Sequence, residues 1–224
     1  MKMNDKTLWI LSGCPGSGKS TFINGFAALF EGNIVSRDKI RFELLGDNVN
    51  HTEYFSHENE VWNIYIQEIK KSIIQGQHTF ADATHLDERS RNKLLNALNL
   101  HSNVKINIVY FDVPVEVCLE RNNKRTGWAR VPASVIRRMA TQLVKPTFNE
   151  KYRYDKIYTV NADGQHCKTE TKNGITWALP STEVACEDCA EAECAGRFKV
   201  MRNGGCKYVN IPNERSTPLD TLHS

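Results

Sequence analysis

Nowhere in this chain of 224 residues do apolar side chains run together without a break for the roughly 18 positions that a helix crossing a bilayer requires. A helical membrane protein is therefore not expected. Cysteine is nearly missing from residues 1–162, where only Cys14 and Cys118 occur. That scarcity excludes a disulfide framework for the main fold. Neither sign of charge dominates: 29 Lys and Arg stand against 26 Asp and Glu, a net charge of +3. Residues 1–162 carry +5 and residues 163–224 carry −2. The first part suits a phosphorylated partner, and the second is a poor nucleic-acid clamp. Met1 to Lys6 lead straight into the first apolar run, so no signal peptide is expected and the expected compartment is the cytoplasm.

What is present is led by Gly13-Cys14-Pro15-Gly16-Ser17-Gly18-Lys19-Ser20-Thr21, which fits the phosphate-binding pattern G-x-x-x-x-G-K-[ST]. Thr7 to Leu11 read as a buried strand entering it, and Phe22, Phe26, Leu29 and Phe30 fall at helical spacing after it. Backbone N–H groups must turn inward around a polyphosphate, and Gly16 and Gly18 permit this without a Cβ in the way. The helix that follows adds its positive end. Lys19 is placed for the outer phosphates and the Ser20 hydroxyl for Mg²⁺.

The rest of the first part alternates strand and helix. Strands are expected at Asn33–Ser36, Thr79–Ala81, Val104–Asp112 and Ile157–Val160. Helices are expected at Lys39–Leu45, Glu53–Gln75, from an Asp87 N-cap through Leu98, from Pro114 to about Asn123, and from Pro132 onward. The expected class is α/β: a doubly wound, mostly parallel five-stranded sheet spanning residues 1–162, with a small β-rich appendage at 163–224. Ligands of such sheets bind beyond the carboxyl ends of the strands. That rule selects the phosphate loop, Arg37-Asp38-Lys39-Ile40-Arg41 and Asp82-Ala83-Thr84-His85.

Asp38 and Arg41, three apart, share a helix face. Asp38 would serve as general base toward an incoming hydroxyl, or would simply cap its helix. Arg41 would hold an acceptor phosphate by its planar fork, or would be a surface charge. Asp82 would bind the metal, directly or through water, or orient an arginine; the bland reading is a turn carboxylate. His85 reads as a polar loop residue. Arg121, Arg125 and Arg130 belong to a polar, arginine-rich link that reads as a lid over the transferring phosphoryl group, or as a basic helix end.

Together these stretches resemble the 5′-polynucleotide kinase domain found in the bacteriophage end-healing enzyme and the animal DNA-repair kinase. The resemblance is carried by residues 13–21, Ser-Arg-Asp-Lys-Ile-Arg at 36–41, Asp-Ala-Thr-His-Leu at 82–86, Phe-Asp-Val-Pro at 111–114, Arg-Asn-Asn-Lys-Arg at 121–125 and Val131-Pro132. It implies ATP and Mg²⁺ at Lys19 and Ser20, Asp38 as general base and Arg41 as the clamp on an acceptor phosphate. It also implies Asp82 as a supporting carboxylate and Arg125 as the lid arginine. Asp82-Ala83-Thr84-His85 departs from the family's more usual Asp-Thr/Asn-Asn/Thr, so only Asp82 carries over. No Asp-x-Asp-x-Thr motif of the companion phosphatase is present.

The tail holds two Asn-Gly turns, at 173–174 and 203–204, between alternating runs, a strong hairpin signal. So small a unit needs a staple, and Cys186, Cys189, Cys194 and Cys206 would supply a structural Zn²⁺ site, with Cys167 in reserve. The alternative is small apolar cysteines packed in a core. The expected activity is transfer of phosphate from ATP to a 5′-hydroxyl end of DNA or RNA. Competing acceptors are a hydroxymethylated base in DNA, a nucleoside or a sugar nucleotide; a nucleotide-switched binding protein is the non-enzymatic rival.

Overall fold

All six residues of β1, Thr7–Ser12, are buried. Leu8 and Ile10 enter one apolar layer, and Trp9 and Leu11 enter another. A central parallel strand covered on both faces requires this continuous burial. The computed structural model describes residues 7–29, 31–46, 56–152, 154–162, 167–171, 176–179, 198–202 and 205–209.

After β1 come α1 (Lys19–Leu29), β2 (Asn33–Ser36), α2 (Arg37–Leu45), α3 (Glu58–Ile74), β3 (Thr79–Asp82) and α4 (Glu88–Leu98). They are followed by β4 (Lys105–Asp112), α5 (Val115–Asn123), a 3₁₀ turn at Gly127–Ala129, α6 (Ala133–Gln142) and β5 (Lys156–Asn161). The strands lie in the order β2-β3-β1-β4-β5 and are all parallel. One layer joins Leu8, Ile10 and Ile108 to Val61, Tyr65 and Ile69 of α3 and to Leu94 and Leu98 of α4. The other joins Trp9, Leu11, Val109 and Phe111 to Phe22 and Ile23 of α1, Cys118 of α5 and Ile136 of α6. Helices thus cover both faces, as the alternation predicts.

The sheet has seven strands rather than the expected five. β6 (Cys167–Thr171) pairs antiparallel with β5, and β7 (Thr176–Leu179) pairs antiparallel with β6. An antiparallel hairpin needs no crossover helix, and it covers the edge that β5 would leave unpaired. The chain divides into compact units at Met1–Leu179 and Pro180–Ser224, so this hairpin belongs with the sheet and the division falls after the expected boundary at residue 162. In the second unit, β8 (Phe198–Arg202) and β9 (Gly205–Val209) form an antiparallel pair. Cys206 lies on β9. Cys186, Cys189 and Cys194 lie outside the described residues, and with them the expected zinc site.

Helix starts follow local chemistry. Asp87 caps α4: its Oδ1 accepts from the Ser90 N–H at 2.8 Å, and Ser90 Oγ accepts from the Asp87 N–H at 3.2 Å. Pro114 and Pro132 stand at the N-cap of α5 and α6 rather than at the expected first helical position, so each helix starts one residue later than expected. Arg91 on α4 is fully buried, and its Nη2 and Nε donate to Glu150 at 2.5 and 3.1 Å. Its Nη1 donates to the carbonyls of His85 and Leu86 at 3.3 and 3.4 Å. A guanidinium this deep is tolerated only when its donors are matched. The match fixes the loop that leaves β3.

Candidate active site

Three chain segments leave the carboxyl ends of β1, β2 and β3 and meet. The first is the phosphate loop. Gly16 and Gly18 adopt φ of +83° and +95°, backbone that side chains rarely take. A Cβ on Gly16 would lie 2.3 Å from the Cys118 carbonyl oxygen on α5, so the loop rests directly on that helix. Lys19 Nζ donates to the carbonyls of Gly13 and Cys14, both at 2.8 Å, folding back over its own loop. Burial lowers the pKa of that ammonium, and the Asp82 carboxylate opposes the shift. The Ser17 hydroxyl is buried and has no hydrogen-bond partner. A buried orphan hydroxyl inside a glycine cradle, with a cation over it, fits a polyphosphate. Ser20 is exposed on the first turn of α1, where it would ligate Mg²⁺. Burial raises the Cys14 thiol to about 11, which leaves it an inert filler of the loop.

The second segment is the start of α2. Ser36 is the N-cap residue, so Asp38 does not cap the helix; it lies in the first turn with its side chain 75% exposed. Its Oδ1 accepts from Arg41 Nη1 at 2.7 Å. Arg41 is not the surface charge that its sequence context allows. Its side chain is 7% exposed, and its Nε and Nη2 donate to Glu58 Oε1 at 2.9 and 2.5 Å. Glu58 opens α3, and its other oxygen accepts from Arg37 Nη2 at 2.5 Å. One carboxylate therefore spans two guanidiniums beside Asp38. Arg37 Nε is buried and has no hydrogen-bond partner.

The third segment leaves β3. Asp82 sits opposite Ser36 in the β2–β3 register. Burial raises its carboxyl pKa, Lys19 and a hydrogen bond from Ser36 hold it down, and Asp38 raises it. Asp82 is thus the electrostatic link between the phosphate loop and the α2 edge. The next residues clamp the loop. Gly13 N–H donates to the Thr84 carbonyl at 2.9 Å, and Ser12 Oγ donates to the His85 carbonyl at 2.8 Å. His85, expected as a polar loop residue, is 4% exposed and adopts φ of +36°. Its Nδ1–H donates to the Leu11 carbonyl at 2.8 Å, which leaves the buried Nε2 as an unpartnered acceptor. Burial lowers its pKa to about 4, and Arg37, Arg91 and Lys19 push the same way. The Tyr65 ring from α3 stacks on it with centroids 6.3 Å apart. The Tyr65 hydroxyl is buried and unpartnered, and burial with the Asp82 charge holds its pKa well above the ordinary value.

The arginines expected in a lid are divided. Arg121 Nη1 donates to the Ser17 carbonyl at 3.4 Å and its Nη2 to the Ala162 carbonyl, so it braces the loop. Arg125 is half-buried, and its charge reaches Lys19 and lowers the pKa there. Arg130 is exposed and lies 3.5 Å from Asn123 Oδ1. Asn122 ties the link at both ends, donating to the Val131 carbonyl at 2.8 Å and accepting from its N–H at 3.0 Å. Sequence reasoning missed Glu58 and Tyr65, and placed Arg37 at the active edge without giving it a role. Only the placement of the α3 N-terminus at the active edge reveals them; helix periodicity around Glu58 gives no such signal.

Comparison with known proteins agrees with the fold. A family model described as an AAA domain matches residues 8–146. A chain in a structure of the Pnkp1/Rnl/Hen1 RNA repair complex is 30% identical, with a TM-score of 0.53; the match covers 62% of this chain and 44% of that one. This chain therefore spans under half the length of that relative. A putative kinase from Chloroflexus aurantiacus is 16% identical with a TM-score of 0.51, covering 70% of this chain and 88% of that one. A sugar kinase from Janibacter sp. HTCC2649 is 18% identical with a TM-score of 0.49, covering 70% and 86%. At 16% identity the Chloroflexus aurantiacus protein bears on the fold alone. The chain belongs to the AAA domain family that matches it, with the fold and phosphate loop of a P-loop kinase.

Proposed function

We propose that this protein transfers the γ-phosphate of ATP to a 5′-hydroxyl end of DNA or RNA. The observation that carries the reading is Asp38: an exposed carboxylate, bonded by Arg41 at 2.7 Å, whose charge is felt at both Asp82 and Lys19 of the phosphate site. Asp38 accepts the proton of the attacking hydroxyl, whose oxygen bonds to the γ-phosphorus as the bond to the β–γ bridging oxygen breaks and ADP leaves. Lys19 and Arg125 supply cations to the charge that develops on the transferring group. Ser20, with Asp82 on the same edge, would hold Mg²⁺, which would supply charge neutralisation of the phosphate oxygens. Arg37 and Arg41 place two cations next to the acceptor, with Glu58 holding both in position. The Pnkp1 neighbour supports a polynucleotide acceptor. The spacing of Cys186, Cys189, Cys194 and Cys206 supports a structural Zn²⁺ in the second unit, which elemental analysis of the purified protein checks.

The test is a panel of acceptors with labelled ATP: 5′-hydroxyl DNA and RNA, nucleoside 3′-monophosphates, nucleosides, hydroxymethyl-pyrimidine DNA and sugar nucleotides. Label on 5′ ends, lost in Asp38→Asn, is the expected result. Label only within a modified strand or on a small sugar overturns the end-healing reading. No transfer to any acceptor leaves a nucleotide-switched binding protein.

A further inference from the structure

A groove of about 1220 Å³ opens beside the active edge, lined by Trp62, Arg89, Asn92, Lys93, Asn96 and Lys151 among others. Trp62 lies one turn along α3 from Glu58. Its ring carries two cations, the Lys93 ammonium 4.7 Å and the Arg37 guanidinium 5.5 Å from the ring centroid. Both distances suit a cation–π contact. Arg37 is also the arginine that Glu58 holds next to Asp38. One contact, Trp62 to Arg37, thus links the groove wall to the proposed acceptor site.

The charges in the groove are arranged to leave cations available. Its two carboxylates are engaged at the start of α4. Asp87 accepts from the Ser90 N–H at 2.8 Å, and Glu88 accepts from Asn92 Nδ2 at 3.3 Å and from the Lys151 N–H at 3.1 Å. Against them stand Arg89 and Lys93, both exposed, and Lys151, whose Nζ reaches Asn96 Oδ1 at 3.2 Å. Asn92 Oδ1 is buried without a partner, an acceptor that a base amino group would satisfy. An aromatic face with mobile cations around it is how sequence-tolerant proteins hold unpaired nucleic acid: bases stack and phosphates meet Lys and Arg.

We propose that this groove binds the nucleotides that follow the 5′ end of a single-stranded acceptor. Trp62 is the stacking platform, and Lys93, Arg89 and Lys151 are the phosphate contacts. A base arriving on Trp62 displaces the exposed Lys93 ammonium, which is then left beside the phosphate. The proposal rests on the 5′-hydroxyl kinase reading for its direction. It adds that the acceptor is an extended strand rather than a single nucleotide.

The experiment uses the full chain with 5′-hydroxyl strands of one to ten nucleotides, as DNA and as RNA, and a blunt duplex. The expected result is a KM that falls over the first few nucleotides while kcat holds, with the blunt duplex poor. Trp62→Ala raises KM for the long strand by about 5- to 150-fold, the range for a lost base–aromatic stack, and raises KM for a nucleoside 3′-monophosphate far less, through Arg37 alone. Trp62→Phe restores most of the loss. Lys93→Glu, at an exposed position that folding does not depend on, weakens long-strand binding and lowers its salt slope by about 1. A KM independent of length, or equal losses on short and long acceptors, overturns the groove. Fluorescence anisotropy of a labelled, 5′-phosphorylated strand separates the two readings. Binding that Lys93→Glu weakens, without turnover of any 5′ end, upholds the groove and overturns the kinase reading. Turnover of 5′ ends without such binding does the reverse.

Discussion

On the β1 side of the cleft, Lys19 bonds the carbonyls of Cys14 and Gly13, five and six residues away. On the β2 side, Arg41 and Arg37 bond Glu58, 17 and 21 residues away. The first half is a main-chain cradle closed within a single loop. The second is a side-chain network that exists only once α2 and α3 have docked. The halves share one element, Asp82, whose pKa responds to Lys19 on one side and to Asp38 on the other. A local cradle depends on few distant contacts, so its chemistry survives changes elsewhere. A network assembled across the fold transmits the loss of any one member.

The largest effect that tests this division is Lys19→Ala. It removes the cation over the cradle, and transfer should fall by about 10³-fold or more, as when a preorganised donor to a developing charge is lost. Calorimetry of Mg-ATP binding should show the affinity falling as well. Retained ATP affinity would mean that the loop does not hold the outer phosphates. Asp38→Asn acts on the other half. Turnover should fall by about 10²–10⁴, the range for lost general-base help, while ATP affinity stays within a few-fold. A matching loss of ATP binding would show that the halves are not separate.

The same contrast explains what the sequence made legible. Strands β1 to β5 and the helices between them follow from periodicity, caps and turn residues, all local signals. The phosphate loop is contiguous, so spacing alone identifies Gly13 through Thr21. Asp38 and Asp82 follow from the rule that ligands bind beyond strand ends. Glu58, Tyr65 and the buried state of Arg41 do not, because each depends on which residues α3 brings to the edge. The burial of His85 is hidden for the same reason: it is the loop residue its position suggests, but its 4% exposure follows only once the helices above it are placed. The β6–β7 hairpin was expected as a hairpin, but its docking on β5 is a long-range pairing that no turn signal encodes.

His85 gives a test of intermediate size at the junction of the halves. Its folded pKa lies at about 4, below the ordinary value of 6.5. Between these values the unfolded chain binds a proton that the folded protein refuses, so stability is complete above about pH 6.5 and declines as pH falls toward 4. The shift corresponds to about 3 kcal/mol at most. Asp82, with its pKa raised, works in the opposite sense and is better tolerated folded at low pH. Denaturant titrations of the wild type and His85→Asn between pH 4 and 7 isolate the histidine. Parallel curves would show that the imidazole is not held neutral.

The smallest expected effect is the most discriminating. Glu58→Gln keeps the shape of the side chain that spans Arg37 and Arg41 but replaces one acceptor with a donor facing a guanidinium. Arg41, with a side chain 7% exposed, then keeps its bond to Asp38 at 2.7 Å and loses part of its bond to Glu58. Stability should fall by about 1–3 kcal/mol, the range for a charge-assisted bond left unmade, and a thermal melt reads it. If the network serves only the acceptor edge, KM for the acceptor should rise several-fold while KM for ATP is unchanged. An ATP affinity that falls in step with acceptor affinity would show that Asp82 couples the two halves, and would make the cleft one network instead of a cradle beside an edge.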